Sequence, residues 1–117
     1  MPVVLPEDVD EVAYRIVQEG LANIERHASA KMVTVALQAD AERLALHIED
    51  DGVGFSMMEA AAMEKFGILG MQERSRLVGG KLLISSRPGQ GTVLKFTFTY
   101  KPGEQPLILQ PTVSFQR

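Results

Sequence analysis

The chain has no cysteine among its 117 residues. That absence excludes a disulfide scaffold, a cysteine-ligated zinc site and a cysteine nucleophile, and it fits a reducing compartment. No apolar run approaches the roughly 20 residues needed to cross a bilayer. No leader peptide is visible either, because the apolar residues 2–5 run straight into Pro6, Glu7 and Asp8. The expectation is a soluble chain with no membrane contact of its own. A basic excess is also missing. The formal net charge is −3, which argues against a general nucleic-acid binder. What is present is an ordinary globular balance, 45% hydrophobic and 23% charged, in a length that suits one domain around a single core.

From about Glu7 to Ala28, apolar residues recur at helical spacing: Val9, Val12, Ala13, Ile16, Val17, Leu21 and Ile24. Pro6 suits the start of a helix, and Glu7, Asp8 and Asp10 put negative charge on its first turn. Two alternating segments follow, Val33–Val35–Leu37 and Leu44–Leu46–Ile48, joined by a turn over residues 38–42. They predict an antiparallel hairpin with one buried face. Residues 50–55 read as a loop, and the Met- and Ala-rich residues 56–65 as a short helix. Residues 67–78 read as a second helix, with Ile68, Leu69, Met71, Leu77 and Val78 available to a core, closed by Gly79-Gly80. Two last strands, residues 81–86 and 92–100, are joined by the turn Arg87-Pro88-Gly89-Gln90-Gly91. The order predicts a two-layer α/β (α+β) sandwich, with a mixed, mostly antiparallel sheet and helices on one face. Pro102, Pro106 and Pro111 change the texture beyond Lys101. The expected division is therefore a domain over residues 1–101 and a C-terminal tail over 102–117 that packs on something.

Four segments carry candidate chemistry. On a helical wheel of about 100° per residue, Glu19, Asn23, Arg26 and His27 cluster in one stripe. A carboxylate and an amide oxygen are hard ligands of the kind Mg²⁺ prefers, and a guanidinium neutralises phosphate. By itself such a stripe more often marks a solvated helix face. The second segment is Asp50-Asp51-Gly52-Val53-Gly54 at a strand end. Alternate glycines let a ligand approach the backbone, and an Asp there can accept from an exocyclic amine. An ordinary acidic turn has the same letters. The third, Phe66-Gly67-Ile68-Leu69-Gly70-Met71, opens a helix, where free amides attract phosphate. The fourth is Gly89-Gln90-Gly91-Thr92-Val93, which as a plain hairpin turn needs no ligand.

In this order and spacing the four segments resemble the ATPase superfamily shared by DNA gyrase, heat-shock chaperones, histidine kinases and mismatch-repair proteins. The likeness covers about residues 8 to 100 and is greatest to sensor histidine kinases of the nitrate-sensor and hexose-phosphate-sensor type. Residues 14–28, Tyr14 to Ala28, look like that group's N-box, residues 48–55 like its G1 box, residues 67–74 like its G2 box, and Gly91-Thr92 like its closing Gly-Thr. Gly20 departs from the pattern, standing where alanine is more usual.

The resemblance implies a Bergerat-type ATP-binding fold with ATP and Mg²⁺ as cofactors. It implies that Asn23 coordinates Mg²⁺ with Glu19 one turn earlier, the two forming the catalytic pair. Arg26 would face phosphates with His27 beside it. Asp50 would hold the adenine amino group, Gly52 and Gly54 would shape the wall, and Thr92 would support the base. Gly67, Leu69, Gly70 and Met71 would meet the nucleotide at the helix start, and residues 55–66 would form a short lid, with Lys65 its candidate phosphate contact.

The implied activity is that of a protein-histidine kinase's catalytic domain. It would act on a histidine in a separate dimerisation and phosphoacceptor domain of a homodimeric cytoplasmic or membrane-anchored parent, and reach a response regulator indirectly. Neither His27, in the N-box, nor His47, on a strand, looks like the acceptor. The alternatives are a self-contained ATPase with Glu19 activating water, and a nucleotide-dependent regulator that binds a protein partner.

Overall fold

A computed structural model describes residues 7–40, 42–99 and 112–116. Helix α1 covers Glu7–Asn23 and runs on into a one-turn π segment, Ile24–Ala28. Strands β1 (Val33–Ala39) and β2 (Arg43–Asp50) follow, then helices α2 (Ala60–Lys65) and α3 (Ile68–Leu77), and strands β3 (Lys81–Ser86), β4 (Thr92–Thr99) and β5 (Thr112–Gln116). The sheet order is β3-β4-β2-β1-β5.

Every described pairing is antiparallel, where the sequence reading allowed a mixed sheet. The reason lies in the connection from β2 to β3. It passes through α2 and α3 and returns a strand in the direction of β2, but β4 inserts between the two and pairs with both. The expected boundary near Lys101 lies outside the described residues. Within the tail, β5 pairs with β1, Thr34 opposite Gln116 through Gln38 opposite Thr112.

The period-2 pattern of the strands puts one face against the helices. Leu44, Leu46 and Ile48 of β2, Leu94, Phe96 and Phe98 of β4 and Leu82 of β3 are buried, and Val35 and Leu37 of β1 pack beside them. Cross-strand rows such as Leu82–Phe96–Leu46–Leu37 run through the register. Helix α1 lies over β2 and β4, and α3 over β3. In α3, Ile68, Met71 and Ser75 face the core at spacings of three and four. Leu69 and Leu77, expected to be available to the core, are 63% and 70% exposed. At about 100° per residue Leu69 is a quarter-turn off Ile68, and Leu77 is on the opposite side of the helix.

The apolar residues spaced along α1 are not equally covered. Val9, Val12 and Ile16 are buried, whereas Leu21 is 40% exposed. Continuing that face by steps of four, three and four gives Gly20, Asn23 and His27. One stripe therefore starts as core and ends as polar side chains. Gly20 is its pivot: a β-carbon there would stand 3.1 Å from Ile48 Cδ1, so the helix rests closely on β2.

Candidate functional site

Beyond the apolar rows, the core-facing side of the sheet ends in a polar one. Ser86 lies opposite Thr92, and Thr92 opposite Asp50. The stripe of α1 reaches the same end of the molecule, and the two enclose a cleft. Its walls include Gly20, Asn23, Ile24, His27 and Ala28 from the first helix, Ile48 and Asp50 from β2, and Val53, Gly54 and Phe55 from the loop after it. Phe66 and Ile68 at the start of α3, and Ile84, Thr92 and Leu94 from the last hairpin, complete them. An apolar slot with a few convergent polar groups is the usual form of a small-molecule site.

The loop after β2 is held on every side. The Asp51 carboxylate accepts from the Lys31 and Met32 amides at 2.8 and 2.9 Å. The Val53 amide donates to the Ala28 carbonyl at 2.7 Å, and its carbonyl accepts from the Gly89 amide at 2.6 Å. The Phe55 amide donates to Ser86 Oγ at 2.9 Å. Gly54 sits at φ 63°, and a β-carbon on it would come within 2.0 Å of the Arg87 carbonyl oxygen. Only glycine fits that crossing of backbones.

Adjacent aspartates meet opposite environments here. Asp50 is buried, 6% exposed. Burial raises its carboxyl above the ordinary value, opposed by the Gly52 amide that donates to Oδ1 at 2.8 Å and reinforced by the charges of Asp51 and Glu49. Asp51 is exposed, and the amides of Met32 and Lys31 hold its carboxyl below the ordinary value.

Asn23 is fixed by its amide nitrogen, which donates to the Phe66 carbonyl at 2.8 Å. No bond to its Oδ1 occurs among the described residues. The Phe66 ring packs against Phe55 at 4.5 Å and edge-on to His27 at 5.0 Å. Lys65 Nζ lies 5.7 Å from that ring's centre, at the end of α2.

Of the residues singled out from sequence, Asn23, His27, Asp50, Gly54 and Thr92 meet in the walls. Gly52 stands behind Asp50 as a hydrogen-bond donor. Glu19 and Arg26, grouped with Asn23 and His27 on the wheel, lie off the wall. Glu19 instead faces Gly67, where a β-carbon would stand 2.9 Å from Glu19 Oε1. Gly67 opens α3 at φ 66°, and neither it nor Gly70 lines the cleft. Leu69 points to solvent, and Met71 is a core residue, 1% exposed. Helix geometry separates them, since consecutive residues of one turn cannot share one face.

Sequence reasoning missed the aromatic wall, Phe55 and Phe66, and the part played by Ser86. The two phenylalanines frame the loop expected to be a lid, and that framing was a signal in the sequence. Ser86 had none, since its place comes from pairing with β4.

Residues 8–103 match the family described as the histidine kinase-, DNA gyrase B-, and HSP90-like ATPases. Over 89 residues, 76% of this chain and 23% of the relative, the sequence is 36% identical to the signal transduction histidine-protein kinase/phosphatase DegS of Brevibacillus brevis. It is 34% identical to the oxygen sensor histidine kinase NreB of Staphylococcus carnosus, covering 74% of this chain and 25% of that protein. To the signal transduction histidine-protein kinase/phosphatase UhpB of Salmonella typhimurium it is 42% identical, covering 73% and 17%. The chain thus spans about a quarter or less of these relatives. The histidine kinase domain of a blue-light activated histidine kinase from Erythrobacter litoralis superposes with a TM-score of 0.60 at 20% identity, over 79% of this chain and 45% of that one, a likeness of fold.

Proposed function

This chain belongs to the histidine kinase-, DNA gyrase B- and HSP90-like ATPase family, and we propose that it holds Mg-ATP for transfer of the γ-phosphoryl group to a histidine on another domain. The carrying observation is the convergence of Asp50, Thr92 and Asn23, from β2, β4 and α1, on one apolar cleft. Adenine would enter between the aliphatic walls Ile48, Ile84 and Leu94, with its amino group toward Asp50 and Thr92. Its phosphates would leave past Asn23 and His27, toward residues 56–66.

Asn23 and Mg²⁺ fit chemically. The amide nitrogen is occupied by the Phe66 carbonyl, so the amide oxygen, a hard ligand, is the atom left for the ion. Among the described residues no group of three acidic or histidine side chains forms a metal cage. That suits an ion that keeps waters and shares phosphate oxygens rather than one caged by protein. Such an ion would screen phosphate charge. The contribution of the chain itself is positioning, which is most of what phosphoryl transfer requires of a protein.

The family's relatives are much longer than this chain, and the domain carrying the acceptor histidine, a dimeric parent and a response regulator belong to this proposal. The test is Mg-dependent ATP binding by calorimetry in the wild type, Asn23→Ala and Asp50→Ala. Loss of hydrogen bonds to a charged partner predicts about 10- to 100-fold weaker binding in Asp50→Ala. For Asn23→Ala the dependence on Mg²⁺ should shrink. Normal binding in both variants would overturn the assignment. Glu19→Ala separates this reading from a self-contained ATPase, which would lose steady hydrolysis in that variant.

A further inference from the structure

Ser86 Oγ has three polar neighbours. The Phe55 amide approaches at 2.9 Å, the Gly91 carbonyl oxygen at 3.0 Å and Thr92 Oγ1 at 2.8 Å. A serine hydroxyl has one hydrogen and two lone pairs. The Phe55 amide can only donate, and the Gly91 carbonyl can only accept. The single hydrogen of Ser86 therefore goes to Gly91, and one lone pair takes the Phe55 amide. The remaining lone pair can be satisfied only if Thr92 donates its hydrogen to Ser86. Ser86 is buried, 7% exposed, so water does not relax this count.

The consequence falls on the cleft. Thr92 lines it and Ser86 does not. With its hydrogen turned back to Ser86, Thr92 shows the cleft only lone pairs. Asp50, directly opposite on β2, is a second acceptor, with Oδ1 already bonded to the Gly52 amide. We infer that Ser86 is a positioning residue for base selection: by fixing the direction of the Thr92 hydroxyl, it makes this end of the cleft acceptor-only. That end then takes an amino group on a purine and rejects a carbonyl in the same place. A carbonyl oxygen would meet lone pairs it cannot pair with, and unpaired polar groups in a dry site carry a high cost. The inference rests on the nucleotide reading above.

The test compares ATP with ITP, whose base carries a carbonyl in place of the amino group, by calorimetry on the whole chain. The wild type should prefer ATP. In Ser86→Ala the Thr92 hydroxyl is free to turn and donate, and the ATP-to-ITP affinity ratio should fall by about tenfold. Ser86→Thr, which keeps a hydroxyl, should retain the ratio. In a Thr92→Val background, Ser86→Ala should leave the ratio where it is, because its effect runs through Thr92. Both ligands meet the same folded fraction, so partial unfolding of a variant cancels from the ratio. A wild type that binds ATP without preference over ITP would overturn the inference and leave the nucleotide reading standing. So would an unchanged ratio in Ser86→Ala, or an equal change in the Thr92→Val background. A wild type that binds neither nucleotide would overturn both.

Discussion

The two sides of the cleft are built differently. The inner side is sheet: Asp50 and Thr92 stand opposite each other in a ladder, and Ser86 ties them to the loop at Phe55. Its backbones approach so closely at Gly54 that only glycine fits. The outer side, residues 56–66, contains a helix of 6 residues whose N-cap makes no side-chain hydrogen bond, and it exposes Met58 at 95%. That side rests on the core through Ala62 and Met63, and at its end Phe66 packs on Phe55 and His27 and accepts from Asn23. A base recognised by direction-specific hydrogen bonds needs a wall fixed in advance. Phosphates, recognised mostly by charge, can be met by a segment that settles around them.

The largest expected effect tests whether the inner wall depends on the core behind it. Phe96 is fully buried in the row next to the cleft rows. Phe96→Ala should cost about 3–5 kcal/mol in chemical denaturation. If the cost is under about 1 kcal/mol, the sheet is not the rigid side.

Next comes the crossing at Gly54. Gly54→Ala combines a positive φ with a collision on the Arg87 carbonyl, and should cost about 2–3 kcal/mol and weaken ATP binding together. An unchanged melting midpoint would show that the loop can shift without penalty.

Asp50 and Asp51 sharpen the contrast through pH. The Asp50 pKa is raised in the fold by burial, so the native state binds its proton more tightly than the unfolded chain does. Its ionisation costs stability as pH rises from the ordinary value of 3.8 through the raised one, and that cost is full above it. Asp50→Asn should therefore stabilise the nucleotide-free domain at neutral pH, gain nothing below 3.8, and bind ATP poorly. Asp51, lowered by the amides of Met32 and Lys31, behaves oppositely. Its contribution is present above 3.8 and is lost as pH falls through its lowered value. Thermal midpoints of Asp50→Asn and Asp51→Asn across pH check both signs.

The smallest effect belongs to the outer side. Met58→Ser should change stability by no more than about 0.5 kcal/mol. A larger loss would mean that the segment is packed as firmly as the sheet.

Much of the fold was legible because period speaks locally. The strands around Leu46 and Ile48 and the helix holding Ile16 announce themselves by spacing. The cleft residues Asn23, Asp50, Gly54 and Thr92 were legible for another reason: each sits in a short segment whose order along the chain resembles a known family. Spacing along α1 announced a helix but not its buried face, which is set by packing where Gly20 meets Ile48. Leu69 and Met71 were read as one motif, and the turn of the helix sends one to solvent and the other to the core.

From sequence alone came the α/β sandwich, the loops at the strand ends and most polar groups of the cleft, since periodicity, turn chemistry and motif order are properties of neighbours along the chain. The tertiary structure decided that Phe55 and Phe66 close the cleft, that Glu19 stands at Gly67 instead of in the wall, and that β5 pairs with β1. It also brought Ser86 Oγ to 2.8 Å from Thr92 Oγ1. Each of these depends on residues far apart in sequence meeting across strands, and a hydrogen-bond count such as that around Ser86 exists only once they have met.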